Sequence, residues 1–240
     1  AYNKLTGAVK WKTPSLGNVG YVSPAIVKIS GEDHLVMITA SGRGAGDNGK
    51  VVGIKPLTGE ILWEYADWQC HIPVASAVDA GEGRILIAGG YELGVVMLKV
   101  EKKTGGSFEV TQLFKHLDFG EHTKPPLLIN GYFYGQYTTN SRRDGLVCMN
   151  MDGKVMWKTT RNPLFDKGSM ILADGLILAT NGSTTLYLIE PDPSGFKPLA
   201  SAELLKECGI SGGDPMASNT VGSISMTWPI CERNSPLALI

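Results

Sequence analysis

One phrase recurs along this chain, and it limits the fold more than any other feature. It appears as AYNKLTGAVKWKT (1–13), VVGIKPLTGEILWEY (51–65), VVMLKVEKKTGGSFEVTQLFK (95–115) and LVCMNMDGKVMWKT (146–159), with a looser copy in LYLIEPDPSGFKPLASAEL (186–204). Each copy is an apolar run, a turn at Thr-Gly, Asp-Gly or Ser-Gly, and a second run. Trp11, Trp63 and Trp157 close three copies, and Phe114 holds that place in a fourth. The turn glycines Gly7, Gly59, Gly105, Gly153 and Gly195 lie 52, 46, 48 and 42 residues apart.

A second set of strands fills the intervals. Strand starts with Pro or a small residue recur in YVSPAIVKI (21–29), HIPVASAV (71–78), TKPPLLI (123–129), KGSMILA (167–173) and NSPLALI (234–240). The first four are each followed by another apolar run: HLVMITA, RILIAGG, GYFYGQYT and GLILATN. The repeating unit is therefore four strands, A to D. A four-stranded antiparallel unit of this length is a propeller blade, whose two faces are buried only by neighbouring blades. The expected fold is an all-β propeller with four complete blades, 21–65, 71–115, 123–159 and 167–203. Residues 1–13 read as the end of a preceding blade and 234–240 as the first strand of a further one. Residues 204–233 read as a long loop, with a short helix over SAELLKECG capped by Ser201 and stopped by Gly209. Partial blades at both ends lead to the expectation of a chain cut from a larger ring. Exposed blade edges then give it a route to self-association.

Composition bears on what such a fold can do. The net charge is −1 and no basic stripe is visible, which gives no basis for nucleic-acid binding. No apolar run reaches the roughly 18 residues of a membrane span, and the first residues carry no signal-peptide pattern. Residues 44–51, GAGDNGKV, approach a phosphate loop. Val51 stands where a metal-binding hydroxyl belongs, and Pro56 and Gly59 break the helix that should follow. The stretch reads as the connection between strands B and C of the first blade. The four cysteines, Cys70, Cys148, Cys208 and Cys231, show no metal spacing. Cys148 alternates like a core residue, and pairing among the others stays open.

The phrase A-x-(D/N)-x-x-T-G-x-x-x-W resembles the tryptophan-docking repeat of the pyrroloquinoline-quinone-like propellers. AYNKLTGAVKW and GIKPLTGEILW match it closely, and CMNMDGKVMW has one residue fewer before the turn. The resemblance implies a quinoprotein-type or BamB-like propeller within a ring of about seven or eight blades. That family holds quinone-dependent dehydrogenases, BamB-like outer-membrane assembly scaffolds and secreted or periplasmic proteins. The dehydrogenases carry the quinone and Ca²⁺ at the propeller centre and often have adjacent ring-forming cysteines, which this sequence lacks. The first expectation is thus a non-catalytic binding scaffold, periplasmic or at the cell surface, with no cofactor. The alternative is a quinone-dependent or sugar-directed oxidoreductase whose site lies partly in other blades.

In a propeller the loops entering strand A open at one end of the central channel, the expected binding funnel. Those loops carry Asn18 and Tyr21; Trp68, Gln69 and His71; Glu121, His122 and Lys124; Asp166 and Lys167; and Trp228, Arg233 and Asn234. Polar and aromatic groups gathered there would hold a protein segment or a small polar ligand. His116, Asp118, Glu121 and His122 are metal-ligand types, but their spacing crosses a blade-to-blade turn without an obvious third and fourth ligand. His34, after Gly-Glu-Asp at a strand start, reads as exposed. The indoles closing strand D read as wedges between blades rather than stacking platforms.

Overall fold

The computed structural model describes residues 1–42, 48–138, 143–204 and 237–238. The remaining part of the Gly44–Val51 stretch (44–47), Cys208, Gly209, Trp228, Cys231, Arg233 and Asn234 lie outside these residues.

Four sheets follow one another along the chain, each of four antiparallel strands in sequence order. The first contains β2 (Ala25–Ile29), β3 (Glu32–Ile38), β4 (Val51–Ile54) and β5 (Ile61–Tyr65). The second contains β6 (Val78–Gly81), β7 (Arg84–Gly89), β8 (Gly94–Lys102) and β9 (Phe108–His116). The third contains β10 (Leu127–Ile129), β11 (Tyr132–Thr138), β12 (Arg143–Asn150) and β13 (Val155–Lys158), and the fourth β14 (Met170–Ala173), β15 (Leu176–Thr180), β16 (Thr185–Glu190) and β17 (Lys197–Glu203). These are the blades of a β-propeller. β1 (Tyr2–Asn3) pairs antiparallel with β18 (Leu237–Ala238), so the first and last strands of the chain share one small sheet. Among the described residues there is no helix.

The core lies between sheets, and the two-residue period of the strands accounts for it. Alternate residues of one strand serve opposite neighbours. In β7, Ile85 and Ile87 join Val36, Ile38 and Trp63 of the first blade, while Leu86 joins Phe133, Tyr137 and Val147 of the third. In β12, Val147 and Met149 face the second blade, and Leu146 and Cys148 face Ile177 and Ile189 of the fourth. A middle strand must be apolar on both faces, hence runs such as VVMLKV. Burial of this kind holds Cys148 in the core and pushes its thiol up to about 11.

Strand D carries a bulge in every blade. The C–D register shifts at Gly53/Ile54, Met97/Leu98, Cys148/Met149 and Leu188/Ile189. A bulge bends the strand and re-aims its side chains, and each of the closing aromatics of β5, β9 and β13 sits beside one. Trp11 donates its indole N–H to Pro56 O (2.9 Å) in the C–D turn of the first blade. Its ring lies where a Cβ on Gly59 would sit, and Gly59 also has φ +77°, so glycine is required twice over. Trp157 donates to Asp192 O (2.8 Å) in the turn of the fourth blade, and Phe114 lies 3.1 Å from where a Gly153 Cβ would be, in the turn of the third. Each ring thus docks on the next blade's turn.

Trp63 departs from this rule. It folds over Gly53 and donates to His34 Nδ1 (3.0 Å). The second blade explains the change. Counting from the bulge, Val100 is the equivalent of Pro56, but the β8–β9 ladder runs on to Lys102 and Phe108. The turn is carried out of reach, and His34 supplies the acceptor. His34 is therefore fully buried, contrary to its exposed appearance in sequence, with the edge of Phe108 against it at 4.6 Å between centroids.

Two strand limits also differ from the sequence reading. Residues 71–77 precede β6 rather than forming it. Ser201, Ala202 and Glu203 extend β17 opposite Tyr187, Leu186 and Thr185, so no helix begins at Ser201. The ladder takes residues whose intrinsic preference is helical.

Candidate binding face

Antiparallel blades of four strands put the loops entering strand A and the B–C turns at one end of the sheets. Hydrogen bonds fix these loops to one another. Tyr21 N–H donates to Pro73 O (2.9 Å), and Ser41 N–H donates to Cys70 O (2.8 Å). His71 Nδ1 lies 3.0 Å from Ser41 O and 3.1 Å from Ser41 Oγ. Trp68 is fully buried among core residues of the first two blades, with the Lys115 ammonium 6.0 Å from its ring centroid. Its ring packs and offers no surface to a ligand.

The loop into the third blade is anchored by a buried carboxylate. Glu121 accepts from Gln136 N–H (2.6 Å) and pairs with Lys124 Nζ (3.0 Å). Lys124 also donates to Gln136 Oε1 (2.9 Å), and Gln136 Nε2 donates to Thr180 O (2.7 Å) of the fourth blade. Burial raises the Glu121 pKa above the usual carboxylate value, and the Lys124 charge acts against that rise. Glu121 and Lys124 thus tie loop to sheet. Asp166 accepts the Lys167 backbone N–H, and its own N–H donates to Asn181 O (3.1 Å). His116 stacks on Phe114 and accepts the Asp118 N–H (3.2 Å).

The exposed Lys167 and the buried His122 ring both meet Tyr91, which the sequence reading passed over. The Lys167 ammonium lies 5.6 Å from the Tyr91 ring centroid, and the His122 ring meets Tyr91 edge-on at 4.9 Å. His122 packs so closely on the Gly90 backbone that a Cβ there would overlap its ring. Beside Tyr91 opens a cleft of about 390 Å³, lined by Cys70, Ile72 and Leu93 and by the polar Ser41, Gln69 and His71. Burial pushes the Cys70 thiol up to about 11, which keeps it protonated at neutral pH.

Tyr91 stands on an unusual turn. Leu93 N–H donates to Gly90 O, and both central residues, Tyr91 (φ 55°) and Glu92 (φ 64°), have positive φ, the type I′ signature. The A–B turns meet the same demand with glycine second: Ser30-Gly31, Glu82-Gly83, Asn130-Gly131 and Asp174-Gly175. Tyr-Glu bears a steric cost of about 1–2 kcal/mol per residue that glycine would avoid. The sequence signal was available: Gly-Gly-Tyr-Glu-Leu-Gly joins two apolar strands without Asn-Gly or Asp-Gly.

At the opposite end, a cleft of about 440 Å³ between the first two blades is lined by Glu82, Lys99, Glu101, Lys102 and Lys103, among others. Its charges pair with one another or with neighbours, as in Lys102–Glu32, Lys103–Glu109 and Arg84–Glu82. Mutually neutralised groups of this kind make a solvated rim.

No family model matches the chain, and no curated protein sequence matches it. Among solved structures it is similar to BamB from Moraxella catarrhalis, with 16% identity, a TM-score of 0.42 and 82% of this chain covered. The chain spans 65% of the length of that BamB structure. It is also similar to glutaminyl cyclase from Myxococcus xanthus, with 13% identity and a TM-score of 0.36, covering 78% of this chain and 73% of that one. No helix among the described residues is long and apolar enough to cross a membrane.

Proposed function

We propose that this chain is a non-catalytic binding scaffold of the pyrroloquinoline-quinone-like propeller group, working in the periplasm or at the cell surface. Its loop-bearing end engages a protein partner. The observation that supports this reading best is the cleft beside Tyr91: lined by apolar and polar side chains together, and set on loops that hydrogen bonds hold in place. Interfaces are built this way, with rigid aromatic anchors in a surface that needs little reordering on binding. The apolar surface continues beyond the cleft. Ile72 is 44% exposed and precedes Pro73, whose carbonyl accepts from Tyr21, itself 77% exposed. The reactive types at this end have other duties. The Cys70 thiol stays protonated, and Glu121 is committed to Lys124 and Gln136.

A photo-crosslinking residue at Tyr21, compared with one at Leu57 in the C–D turn at the far end, tests this in the envelope fraction of the source cell. The expected result is a discrete adduct from position 21 and none from 57. Equal patterns from both positions would remove the assignment of the face. Tight stoichiometric uptake of pyrroloquinoline quinone with Ca²⁺ would replace the scaffold reading with an oxidoreductase.

A further inference from the structure

We infer that the cleft beside Tyr91 is an anchor pocket for a partner segment in which a large apolar side chain stands next to an acidic residue. This deepens the proposed scaffold function and rests on it. Tyr91 is 52% exposed at the first central position of its turn, the position that Ser30, Glu82, Asn130 and Asp174 hold in the A–B turns, and it lines the cleft. The turn is also built around its neighbour. Only glycine at position 90 lets the His122 ring lie under Tyr91.

The cleft's size and lining name the anchor. At about 390 Å³ it is near the small end of ligand sites. Ile72, Leu93 and the protonated Cys70 give it apolar walls, which suit one phenyl or branched aliphatic group. The charges name the neighbouring residue. The Lys167 ammonium faces the Tyr91 ring. Gln69 adds an amide donor to the lining. Of the acidic groups nearby, Asp166 accepts the Lys167 N–H and Glu92 has a partner of its own. A carboxylate arriving with the partner would complete the charge pattern.

The probes are the capped dipeptides acetyl-Phe-Asp-amide and acetyl-Asp-Phe-amide, with acetyl-Phe-Asn-amide and acetyl-Ala-Asp-amide as controls. They are titrated into the whole chain while backbone amide shifts are followed. At least one Phe/Asp probe should saturate, with shifts centred on Ile72, Gly90 and Tyr91. Tyr91→Ala should weaken it about tenfold or more, and Tyr91→Phe should retain it. Lys167→Gln should erase the preference for Phe-Asp over Phe-Asn. Tyr91→Asn suits a type I′ turn, so it should melt no lower than the parent while losing the probe, which separates binding from folding. No saturable shift, or affinity unchanged in Tyr91→Ala, overturns the pocket. Crosslinking at position 21 that persists in Tyr91→Asn leaves the face as a binding surface and removes only the anchor. Probe binding without any crosslink does the reverse.

Discussion

Replacing Trp63 with Phe should cost more than replacing Trp157 with Phe, although both indoles close strand D. Trp63 is 5% exposed and donates to His34 Nδ1, and His34 is itself fully buried. His34 Nε2 has no hydrogen-bond partner among the described residues. With the indole gone, the imidazole loses its bond at Nδ1 as well. An unpaired buried acceptor costs about 1–3 kcal/mol, and the volume lost from a closed core adds about 1 kcal/mol. The total is about 2–4 kcal/mol. Trp157 is only half-buried, and its acceptor, Asp192 O, lies in a surface turn where water can replace the donor. Its loss should be about 1 kcal/mol. Urea unfolding followed by far-ultraviolet circular dichroism measures both without relying on tryptophan emission. The double variant Trp63→Phe/His34→Phe separates the causes. If the stranded imidazole dominates, replacing both partners by apolar groups recovers much of the loss, because neither leaves an unpaired polar atom. A Trp63→Phe cost no greater than that of Trp157→Phe would refute the reasoning. So would a double variant as unstable as the sum of the single changes.

Burial lowers the His34 pKa below its ordinary value of 6.5, so the folded state resists protonation more than the unfolded state does. Stability from this group is therefore complete above about pH 6.5 and declines as pH falls through the lower folded value. Thermal melts from pH 8 to 5 should show the decline, and His34→Phe should flatten it. Gly53→Ala places a Cβ inside the Trp63 indole and should lower stability by about 2 kcal/mol or more, read by the same urea titration. Lys124→Met strands the buried Glu121 carboxylate and should cost about 3–5 kcal/mol, whereas Lys124→Met/Glu121→Gln should recover part of it. Tyr2→Cys with Ala238→Cys places two thiols at paired positions of β1 and β18, and an oxidised cross-link visible by non-reducing electrophoresis is the expected outcome.

The blades could be read in advance because their constraints are local. A strand between two neighbours must be apolar on both faces, and Val95 through Val100 carries that requirement within six residues. A docking turn needs glycine where a ring approaches, and Gly59 stands four residues before Trp63 in the same phrase. His34 could not be placed this way. Its burial depends on the length of the β8–β9 hairpin in the next blade, which removes the carbonyl that Trp63 would otherwise find. Residues 71–77 and Ser201 misled for related reasons: the path between blades delays β6, and the partner strand extends β17.

The face mixes local and distant constraints, so only part of it was legible. His71 and Lys167 stay exposed on their loops, whereas Glu121, His122, Lys124 and Trp68 looked identical in sequence and are drawn into anchors and core. Which loop residues emerge depends on contacts between blades about 45 residues apart, and no period records those. The turn that carries Tyr91 is the exception, because Glu92 stands where the A–B turns place glycine. In a repeat fold the regular positions specify the scaffold. A costly irregularity at an exposed tip is therefore the place where local sequence can point to a candidate site.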